Sequence, residues 1–479
     1  MRDIDRAAIE LAGIPGYTLM ERAAVATVGE ALAIYPDARR WQIICGAGNN
    51  AGDGYVMARL AASEGIAVTT LSVVDPASLT GDAATAYADF TAEGGVAMPW
   101  AGEIDPAADL LVDSLLGSGL TREVGGDFAS AVTAINAADA NVLALDIPTG
   151  LHGDTGKVLG CGVHADTTVT FVGLKQGLYL ADGADYCGDL RFSNLDIDAK
   201  CYSGRRVEYR RIAGSRVDTL LPRRKRNSHK GDFGHVLVIG GGKGMPGAVL
   251  LCGEAALRAG AGRVSVATDP SHAATIVKDR PELMSHAVSG VADLQPLLAT
   301  ADVIAFGPGL GRSDWAGELV AALQKDDRPA VWDADALNWL AESPDQADNR
   351  IITPHPGEAS TLLGVTTTVV QGDRKAALGQ LQQRYGGVAV LKGAGSLVSS
   401  DTNAPWLSTS GNPGMAAPGM GDVLTGVIAA LLAQGLSMED AAVVGVEIHA
   451  RAGDIAAKGG ERGLTASDLL AELRAIVNP

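Results

Sequence analysis

The chain has 479 residues, 47% hydrophobic and 20% charged, which predicts two to four globular domains and excludes a single small module or a disordered chain. Its 38 Lys and Arg against 56 Asp and Glu give a net charge of −18, so binding to nucleic-acid phosphates is not expected. No apolar stretch reaches the ~20 residues of a membrane span, and five cysteines without a CxxC pair indicate a soluble protein of the reducing cytoplasm.

The first half of the chain alternates β-branched runs with alanine-rich stretches, a pattern typical of a parallel α/β sheet. A long opening helix is predicted to break near residues 13–16. Strands are predicted at residues 42–45, 67–74, 109–113, 141–146 and 167–172, with helices at 55–63, 82–91 and 128–136. We therefore predict an α/β domain in the first half of the chain.

The same alternation begins again in the second half. Strands are predicted at residues 235–239, 264–267, 303–306, 330–332, 350–353 and 388–391, followed by helices at 422–433, 440–457 and 467–477. A basic run at residues 223–230 separates the two series, and a solvated linker is a better interpretation of it than a nucleic-acid patch. We expect the domain boundary within residues 205–225 and place it between residues 213 and 214.

A glycine-rich segment at residues 46–54 follows a predicted strand and precedes a predicted helix. Backbone amides at a helix N-terminus favour an anion, so this segment predicts phosphate binding. Taken alone, it is explained equally well by a tight connection that needs positive φ. It matches neither the dinucleotide-binding fingerprint nor the phosphate loop of NTPases.

Two further strand ends carry oxygen-rich side chains, at residues 113–120 and 145–150. Ligands of an open parallel sheet bind beyond the carboxyl ends of its strands, so three such ends predict one shared site. Asp113 or Asp146 taken singly would be explained as well by a helix cap or a turn.

Residues 20–23, 48–56, 113–119 and 145–150 resemble the NAD(P)H-hydrate epimerase domain, over about residues 1–210. The resemblance implies a Rossmann-like fold that interconverts the two C6 epimers of a hydrated nicotinamide cofactor. It implies proton transfer by Asp146 and a potassium ion held by Asn50, Asp113 and Thr149. The implied hydrate contacts are Asn49, Asn50, Ala51, Gly52, Asp53, Gly117, Ser118, Gly119, Leu120, Thr121, Arg122, Glu123 and Asp146. The chain departs from the usual pattern at Arg22, Ala51 and Thr149, where Asn, Gly and Ser are common.

In the second half, Gly419 and Gly421 precede Asp422 at the start of an apolar helix. Glycine amides there can neutralise a transferring phosphoryl group, and an adjacent Asp can accept a proton from the attacking hydroxyl. A helix cap is the alternative role of this Asp. The segments 355–358 (His-Pro-Gly-Glu) and 392–396 (Lys-Gly-Ala-Gly-Ser) add polar groups, although His355 alone also fits a structural histidine.

Together with residues 230–235, 240–242, 307–311 and 332–338, these segments resemble the ADP/ATP-dependent NAD(P)H-hydrate dehydratase family over residues 225–479, which implies a ribokinase-like fold. The implied hydrate contacts are Ala248, Gly311, His355 and Asp422. The implied contacts of the nucleotide, which would carry Mg²⁺, are Lys392, Gly393, Ala394, Gly395, Ser396 and Gly421. Ala417 stands where Ser or Thr is frequent.

The two resemblances together imply repair of hydrated NAD(P)H. Epimerisation would supply the S epimer, and phosphorylation of its C6 hydroxyl followed by loss of phosphate would restore the dihydronicotinamide. A homo-oligomer, specifically a tetramer, is also implied. Two alternatives stay open: a ribokinase-superfamily kinase for a small alcohol with a regulatory N-terminal half, and a noncatalytic binding module in that half.

Overall fold

The structure is a computed structural model that describes residues 2–402 and 404–478. Its contacts divide the chain into two compact units, Met1–Arg206 and Val207–Pro479. Each unit is built on one largely parallel β-sheet. Among the described residues, none of the helices combines the length and the apolar composition that crossing a bilayer requires. Each of the five cysteines is free.

The sheet of the first unit is entirely parallel in its described part. Its strands are β1 (Arg40–Cys45), β2 (Ala67–Ser72), β3 (Ala97–Pro99), β4 (Leu110–Ser114), β5 (Asn141–Leu145), β6 (Thr167–Phe171) and β7 (Asp189–Ser193). Their spatial order is β3-β2-β1-β4-β5-β6-β7. The helices are α1 (Arg2–Glu10), α2 (Gly16–Ile34), α3 (Gly48–Ser63), α4 (Gly81–Ala92), α5 (Gly126–Asn136) and α6 (Gly183–Tyr186). The five predicted strands and the break in the opening helix are confirmed.

Helix α3 begins seven residues before its predicted start, at Gly48 instead of Tyr55. The glycine-rich segment is therefore mostly the first turns of a helix, and the prediction of an extended loop there was wrong. The glycines serve close packing: a Cβ on Gly52 would lie 2.9 Å from Ala83 Cα, and one on Gly54 would collide with Ser114 Oγ. Small residues at these positions let α3 approach α4 and β4.

The second unit contains a longer, mixed sheet. Its strands are β8 (Arg210–Arg211), β9 (His235–Ile239), β10 (Arg263–Thr268), β11 (Met284–Ala287), β12 (Val303–Phe306), β13 (Ala330–Trp332), β14 (Arg350–Ile352), β15 (Val388–Leu391), β16 (Leu397–Val398) and β17 (Trp406–Leu407). Their spatial order is β11-β10-β9-β12-β13-β14-β15-β16-β17-β8. Among the described strands, β16 is antiparallel to both of its neighbours and the other pairs are parallel.

The helices of the second unit cover this sheet. They are α7 (Gly214–Leu220), α8 (Pro246–Arg258), α9 (Ala273–Asp279), α10 (Val291–Leu298), α11 (Asp314–Leu323), α12 (Asp335–Glu342), α13 (Pro356–Leu363), α14 (Thr367–Gly372), α15 (Arg374–Tyr385), α16 (Met420–Ala433), α17 (Met438–Ala456) and α18 (Ala466–Ile476). The six strands and three terminal helices predicted for this half are confirmed.

The second unit starts at Val207, within the predicted window of residues 205–225. The boundary placed between residues 213 and 214 falls inside this unit, because Arg210 in β8 pairs with Trp406 in β17. The basic run at residues 223–230 is exposed except for the half-buried Ser228, as predicted, but it lies within the second unit and not between the two units. The guanidinium of Arg224 lies 3.5 Å from the centre of the Phe233 ring and donates a hydrogen bond to Gln434 Oε1 at 2.8 Å.

Helix α16 lies in the core of the second unit. Every residue from Val423 to Leu432 is buried, as expected of a helix that is apolar on all faces. It packs against α8 and against β12, and Gly426 allows this approach because a Cβ there would collide with the carbonyl oxygen of Cys252. The buried body of α16 fixes the position of its N-terminus, where Asp422 lies.

Candidate active sites

The first unit contains a cavity of about 580 Å³ at the carboxyl edge of its sheet. Its lining includes ten of the thirteen predicted hydrate contacts: Asn49, Asn50, Asp53, Gly117, Ser118, Gly119, Leu120, Thr121, Arg122 and Asp146. Ala51 and Gly52 are buried within α3, and Glu123 is exposed outside the lining. Ala51 adopts ordinary helical geometry, so the alanine at this position places no strain on the backbone.

The residues predicted to hold potassium form an oxygen-rich group behind this cavity. Thr149 donates to both oxygens of Asp113, through its hydroxyl to Oδ1 and through its N–H to Oδ2, each at 2.7 Å. Burial raises the pKa of Asp113 to about 6, against the opposing effect of these hydrogen bonds. Among the described residues, the buried Oδ1 and Nδ2 of Asn50 have no hydrogen-bond partner. Buried polar atoms are normally satisfied, so this amide has capacity for a ligand.

Asp146 follows β5 and is one of the few non-glycine residues with positive φ, at 67°. Its carboxylate forms an ion pair with Lys175, which also donates to Thr170 Oγ1 at 2.8 Å. The sequence analysis missed Lys175. This lysine follows the carboxyl end of β6, so the rule that drew attention to the ends of β1, β4 and β5 could have identified it.

Three further carboxyl groups line the same cavity, those of Asp5 on α1, Asp53 on α3 and Asp82 on α4. Burial raises the pKa of Asp53 well above its usual value, and the negative charge of Asp146 raises it further. Burial also raises the pKa of Asp5. The cavity therefore combines one carboxylate paired with a cation and two carboxyl groups that favour the neutral form, an arrangement suited to acid–base chemistry.

In the second unit, the loops that follow β9 and β12 are joined at the carboxyl edge of the sheet. Gly242 N–H donates to the carbonyl oxygen of Gly309 at 2.7 Å. A Cβ on Gly309 would lie 3.0 Å from that of Ala248, so this contact requires small residues. Gly311 N–H donates to Asp335 Oδ2 at 2.8 Å. The predicted hydrate contacts Ala248, near the start of α8, and Gly311, in the loop after β12, therefore both lie where these two loops meet.

A buried ion pair lies beneath the predicted phosphate site. Asp333, only 1% exposed, follows β13, and its Oδ1 lies 2.7 Å from Lys392 Nζ. Thr425 Oγ1 donates to Asp333 Oδ2 at 3.0 Å. Burial raises the pKa of Asp333, but the charge and hydrogen bonds of its partners outweigh that effect and lower it overall. A Cβ on Gly421 would lie 3.2 Å from Lys392 Nζ, so a glycine keeps the backbone close to the ammonium group.

Asp422 lies in the first turn of α16. The N-cap position of this helix is occupied by Gly419, which is in the left-handed conformation and has no side chain that could cap the helix. Within the described residues, no hydrogen bond of the Asp422 carboxyl is present, so this side chain does not cap the helix. Burial raises its pKa to about 7, the charge of Asp333 adds to the increase, and Lys392 opposes it. A pKa close to neutral pH suits a general base.

His355 caps helix α13. Its Nδ1 accepts hydrogen bonds from the N–H groups of Gly357 (2.9 Å) and Glu358 (3.3 Å), while Glu358 Oε2 accepts from His355 N–H at 2.8 Å. His355 therefore has a structural role, as the N-terminal cap of α13. Its side chain is still 56% exposed, so the rest of the ring can contact a ligand. Glu358 Oε2 lies 3.7 Å from Lys392 Nζ, which brings this helix start to the nucleotide loop.

The loop at residues 392–396 is held by Arg374, which the sequence analysis did not identify. The buried Nη2 of Arg374 donates to the carbonyl oxygens of Leu391, Lys392 and Gly395 at 3.2–3.3 Å. Burial lowers the pKa of its guanidinium to about 10. No sequence motif identifies this arginine, because its role depends on tertiary contacts.

The chain matches two protein families. Residues 16–177 match the YjeF-related protein N-terminus, and residues 236–475 match NAD(P)H-hydrate dehydratase. An Enterococcus faecalis ribokinase-like superfamily protein superposes with a TM-score of 0.53 and 26% identity, covering 57% of this chain and 96% of that protein. A Bacillus subtilis ADP/ATP-dependent NAD(P)H-hydrate dehydratase co-crystallised with ATP/Mg²⁺ gives a TM-score of 0.51 and 29% identity, covering 57% and 98%. The predicted Rossmann-like and ribokinase-like folds are confirmed.

Similarity to one curated relative extends over the whole chain. The bifunctional NAD(P)H-hydrate repair enzyme Nnr of Coxiella burnetii is 47% identical over 480 residues, an alignment that covers 100% of this chain and 98% of the relative. The order of the two matched regions and this full-length identity lead to one assignment. The chain belongs to the family of bifunctional NAD(P)H-hydrate repair enzymes.

Proposed function

We propose that the chain repairs hydrated NAD(P)H at two separate sites. The cavity of the first unit interconverts the R and S epimers at C6, and the second unit dehydrates the S epimer with ADP or ATP. The observation that carries the chemistry is Asp422, whose carboxyl has a pKa of about 7 and lies near the ion pair of Lys392 and Asp333.

In the dehydration, Asp422 accepts the proton of the C6 hydroxyl as the C6 oxygen attacks the terminal phosphorus of the nucleotide. The bond from that phosphorus to the bridging oxygen breaks, which releases AMP from ADP or ADP from ATP. Phosphate is a better leaving group than hydroxide. The lone pair of the ring nitrogen then breaks the C6–O bond and releases phosphate, and loss of a C5 proton restores the dihydronicotinamide. Lys392 and the backbone N–H of Gly421 stabilise the charge that develops on the transferring phosphoryl group.

The hydrate contacts of this site are Ala248, Gly311, His355 and Asp422, and the nucleotide contacts are Lys392, Gly393, Ala394, Gly395, Ser396 and Gly421. Mg²⁺ enters with the nucleotide, because this ion binds proteins through one or two carboxylates together with substrate phosphates. Glu358, which lies beside Lys392, is the carboxylate placed to hold it.

In the epimerisation, Asp146 takes the proton of the C6 hydroxyl as the bond between C6 and the ring nitrogen breaks to give an aldehyde, and the proton passes to that nitrogen. Re-addition of the nitrogen to the opposite face of the aldehyde, with return of the proton to the oxygen, exchanges the configuration at C6. Asp53, favoured in its neutral form by burial, donates a hydrogen bond to the hydrate. The remaining contacts come from the first turn of α3, at residues 49–52, and from the loop at residues 117–123.

A potassium ion would be held by Asn50, Asp113 and Thr149. The chemistry of these residues fits a hard monovalent cation, since they offer one carboxylate, one hydroxyl and the unpartnered amide oxygen of Asn50. When bound, the ion would neutralise the buried charge of Asp113 and connect α3 to the loops after β4 and β5.

The assembly and location of the enzyme are part of the proposal. We infer a homotetramer in the cytoplasm, with small-molecule ligands alone as the partners of its two sites. Light scattering of the purified chain tests the oligomeric state, and a mass other than that of a tetramer would contradict it.

The function is tested by incubating the purified chain with both hydrate epimers and ADP or ATP, while the return of dihydronicotinamide absorbance is followed. We expect complete recovery from a mixture of epimers. A stable phosphorylated product would instead indicate a kinase for a small alcohol. Binding of the hydrate without epimerisation would indicate that the first unit is a binding module.

A further inference from the structure

Lys175 is a buried cation in the first unit that no part of the proposed reaction uses. Its side chain is 5% exposed. Nζ donates to three oxygens, namely Asp146 Oδ1, Thr170 Oγ1 at 2.8 Å and the carbonyl oxygen of Phe171 at 3.1 Å. An ammonium group has three donors, so its hydrogen-bonding capacity is filled. Burying a charge is costly unless it is paired, and the pairing partner here is the proposed catalytic carboxylate.

The contacts of Asp146 are unequal between its two oxygens. Oδ1 receives the ammonium of Lys175 and, at 3.4 Å, the N–H of Phe171. In the part of the chain that the structure describes, Oδ2 receives no hydrogen bond, although Asp146 lines the cavity. One oxygen is therefore anchored by the protein, and the other is left for a ligand.

The other ionisable groups of the cavity differ from Asp146 in their contacts. Within the described residues, neither Asp5 on α1 nor Asp53 on α3 forms an ion pair with a basic side chain, and burial raises the pKa of each. Asp82 on α4 and Arg122 in the loop after β4 line the same cavity. Lys175 is the cation in direct contact with a carboxylate of this group, and Asp146 is the carboxylate that it contacts.

We propose that Lys175 is a positioning residue of the epimerase site, which anchors the carboxylate of Asp146 through Oδ1 and directs Oδ2 towards the C6 hydroxyl of the hydrate. This inference rests on the proposed epimerase function. A nearby opposite charge favours the ionised form of a carboxyl group. Without Lys175, Oδ1 of Asp146 would lose both its anchor and the adjacent positive charge, and Oδ2 would no longer be held towards the ligand.

The test compares full-length wild type with Lys175→Met, a variant that keeps an unbranched side chain but no charge. We expect kcat of epimerisation at pH 7 to fall roughly 10-fold or more, with a smaller change in KM. The acid limb of the kcat profile should move to higher pH by about one unit or more. Lys175→Arg, which keeps the charge, should recover part of kcat. Dehydration of the purified S epimer by the same preparation is the control and should not change.

An epimerase with wild-type kcat and an unshifted acid limb in Lys175→Met would overturn the inference. Wild-type protein that does not epimerise the hydrate would instead refute the proposed function, so the two failures are distinguishable.

A measurement on wild-type protein covers the case in which Lys175→Met does not fold. In protein labelled with ¹³C at the Asp carboxyl carbons, the signal that Asp146→Asn removes is assigned to Asp146. We expect the chemical shift of a carboxylate at pH 7. The shift of a protonated carboxyl group at that pH would contradict the proposed role of Lys175.

Discussion

Lys392 Nζ lies 2.7 Å from Asp333 Oδ1, beneath the turn of backbone that carries Gly421 and Asp422. The ion pair joins the loop after β15 to the end of β13, and Thr425 ties the same carboxylate to α16. One buried aspartate thus sets the relative positions of the proposed phosphate-binding lysine and the proposed general base.

The role of Asp422 is tested by Asp422→Asn, which preserves the volume of the side chain but cannot accept the proton. We expect dehydration of the S epimer to slow at least ~100-fold, with normal epimerisation as the internal control. A helix-capping role would instead alter stability by roughly 1 kcal/mol. Dehydration near the wild-type rate would exclude Asp422 as the base.

Asp333 should control the pH dependence of dehydration. In wild type, Asp422 is ionised above its pKa of about 7, so the rate should rise with pH through that region. The negative charge of Asp333 contributes to this high pKa. In Asp333→Asn the acid limb should therefore move to lower pH, while the maximal rate falls because Lys392 loses its anchor. An acid limb at unchanged pH would show that the two carboxyl groups do not interact.

The same substitution should destabilise the second unit. Asp333 is buried, and breaking a buried ion pair typically costs about 3–5 kcal/mol because the remaining charge is uncompensated. Urea unfolding should show this loss, and Asp335→Asn on the neighbouring helix is a suitable comparison. Equal stabilities of the two variants would argue against a structural contribution of the ion pair.

Asp146→Asn should abolish epimerisation and leave dehydration of the S epimer nearly intact, because the two sites lie in separate units. Asparagine can still accept a hydrogen bond from Lys175, which limits the structural damage. Kinetics with the purified R epimer and the purified S epimer separate the two activities. Equal loss of both activities in a folded variant would refute the assignment.

The potassium site can be tested by crystallography with thallium in place of potassium. An anomalous peak is expected between Asn50, Asp113 and Thr149, since the buried amide of Asn50 has no other partner among the described residues. Asn50→Ala should weaken the peak. A crystal without anomalous signal at this position would remove the proposal.

The sequence predicted the parts of the fold and sites that are encoded locally. The strands at the centre of each sheet are continuous apolar runs, and the Gly-x-Gly-Asp pattern marks the start of α16. The edge strands β3 and β8 were missed because they have only three and two residues. Lys175 and Arg374 were missed because their importance arises from contacts with chain segments that no local pattern connects.

The glycines of α3 show a second limit of prediction from sequence, namely a pattern that was recognised but misinterpreted. Their number predicted a glycine-rich connection that precedes the helix, yet most of them lie within the helix and permit packing. A pattern of glycines alone does not distinguish conformational freedom from close approach, since both require the absence of a Cβ.

The burial of α16 has a consequence for interpreting natural variants of this enzyme. Gly426 is more than one helical turn from Asp422, and its contact is with the carbonyl of Cys252 on α8. An allele that introduces a larger residue at Gly426 would displace α16 from its packed position against α8. The proposed base, Asp422, would move with the helix. Such an allele would present as a catalytic defect, although the altered residue touches neither substrate nor nucleotide.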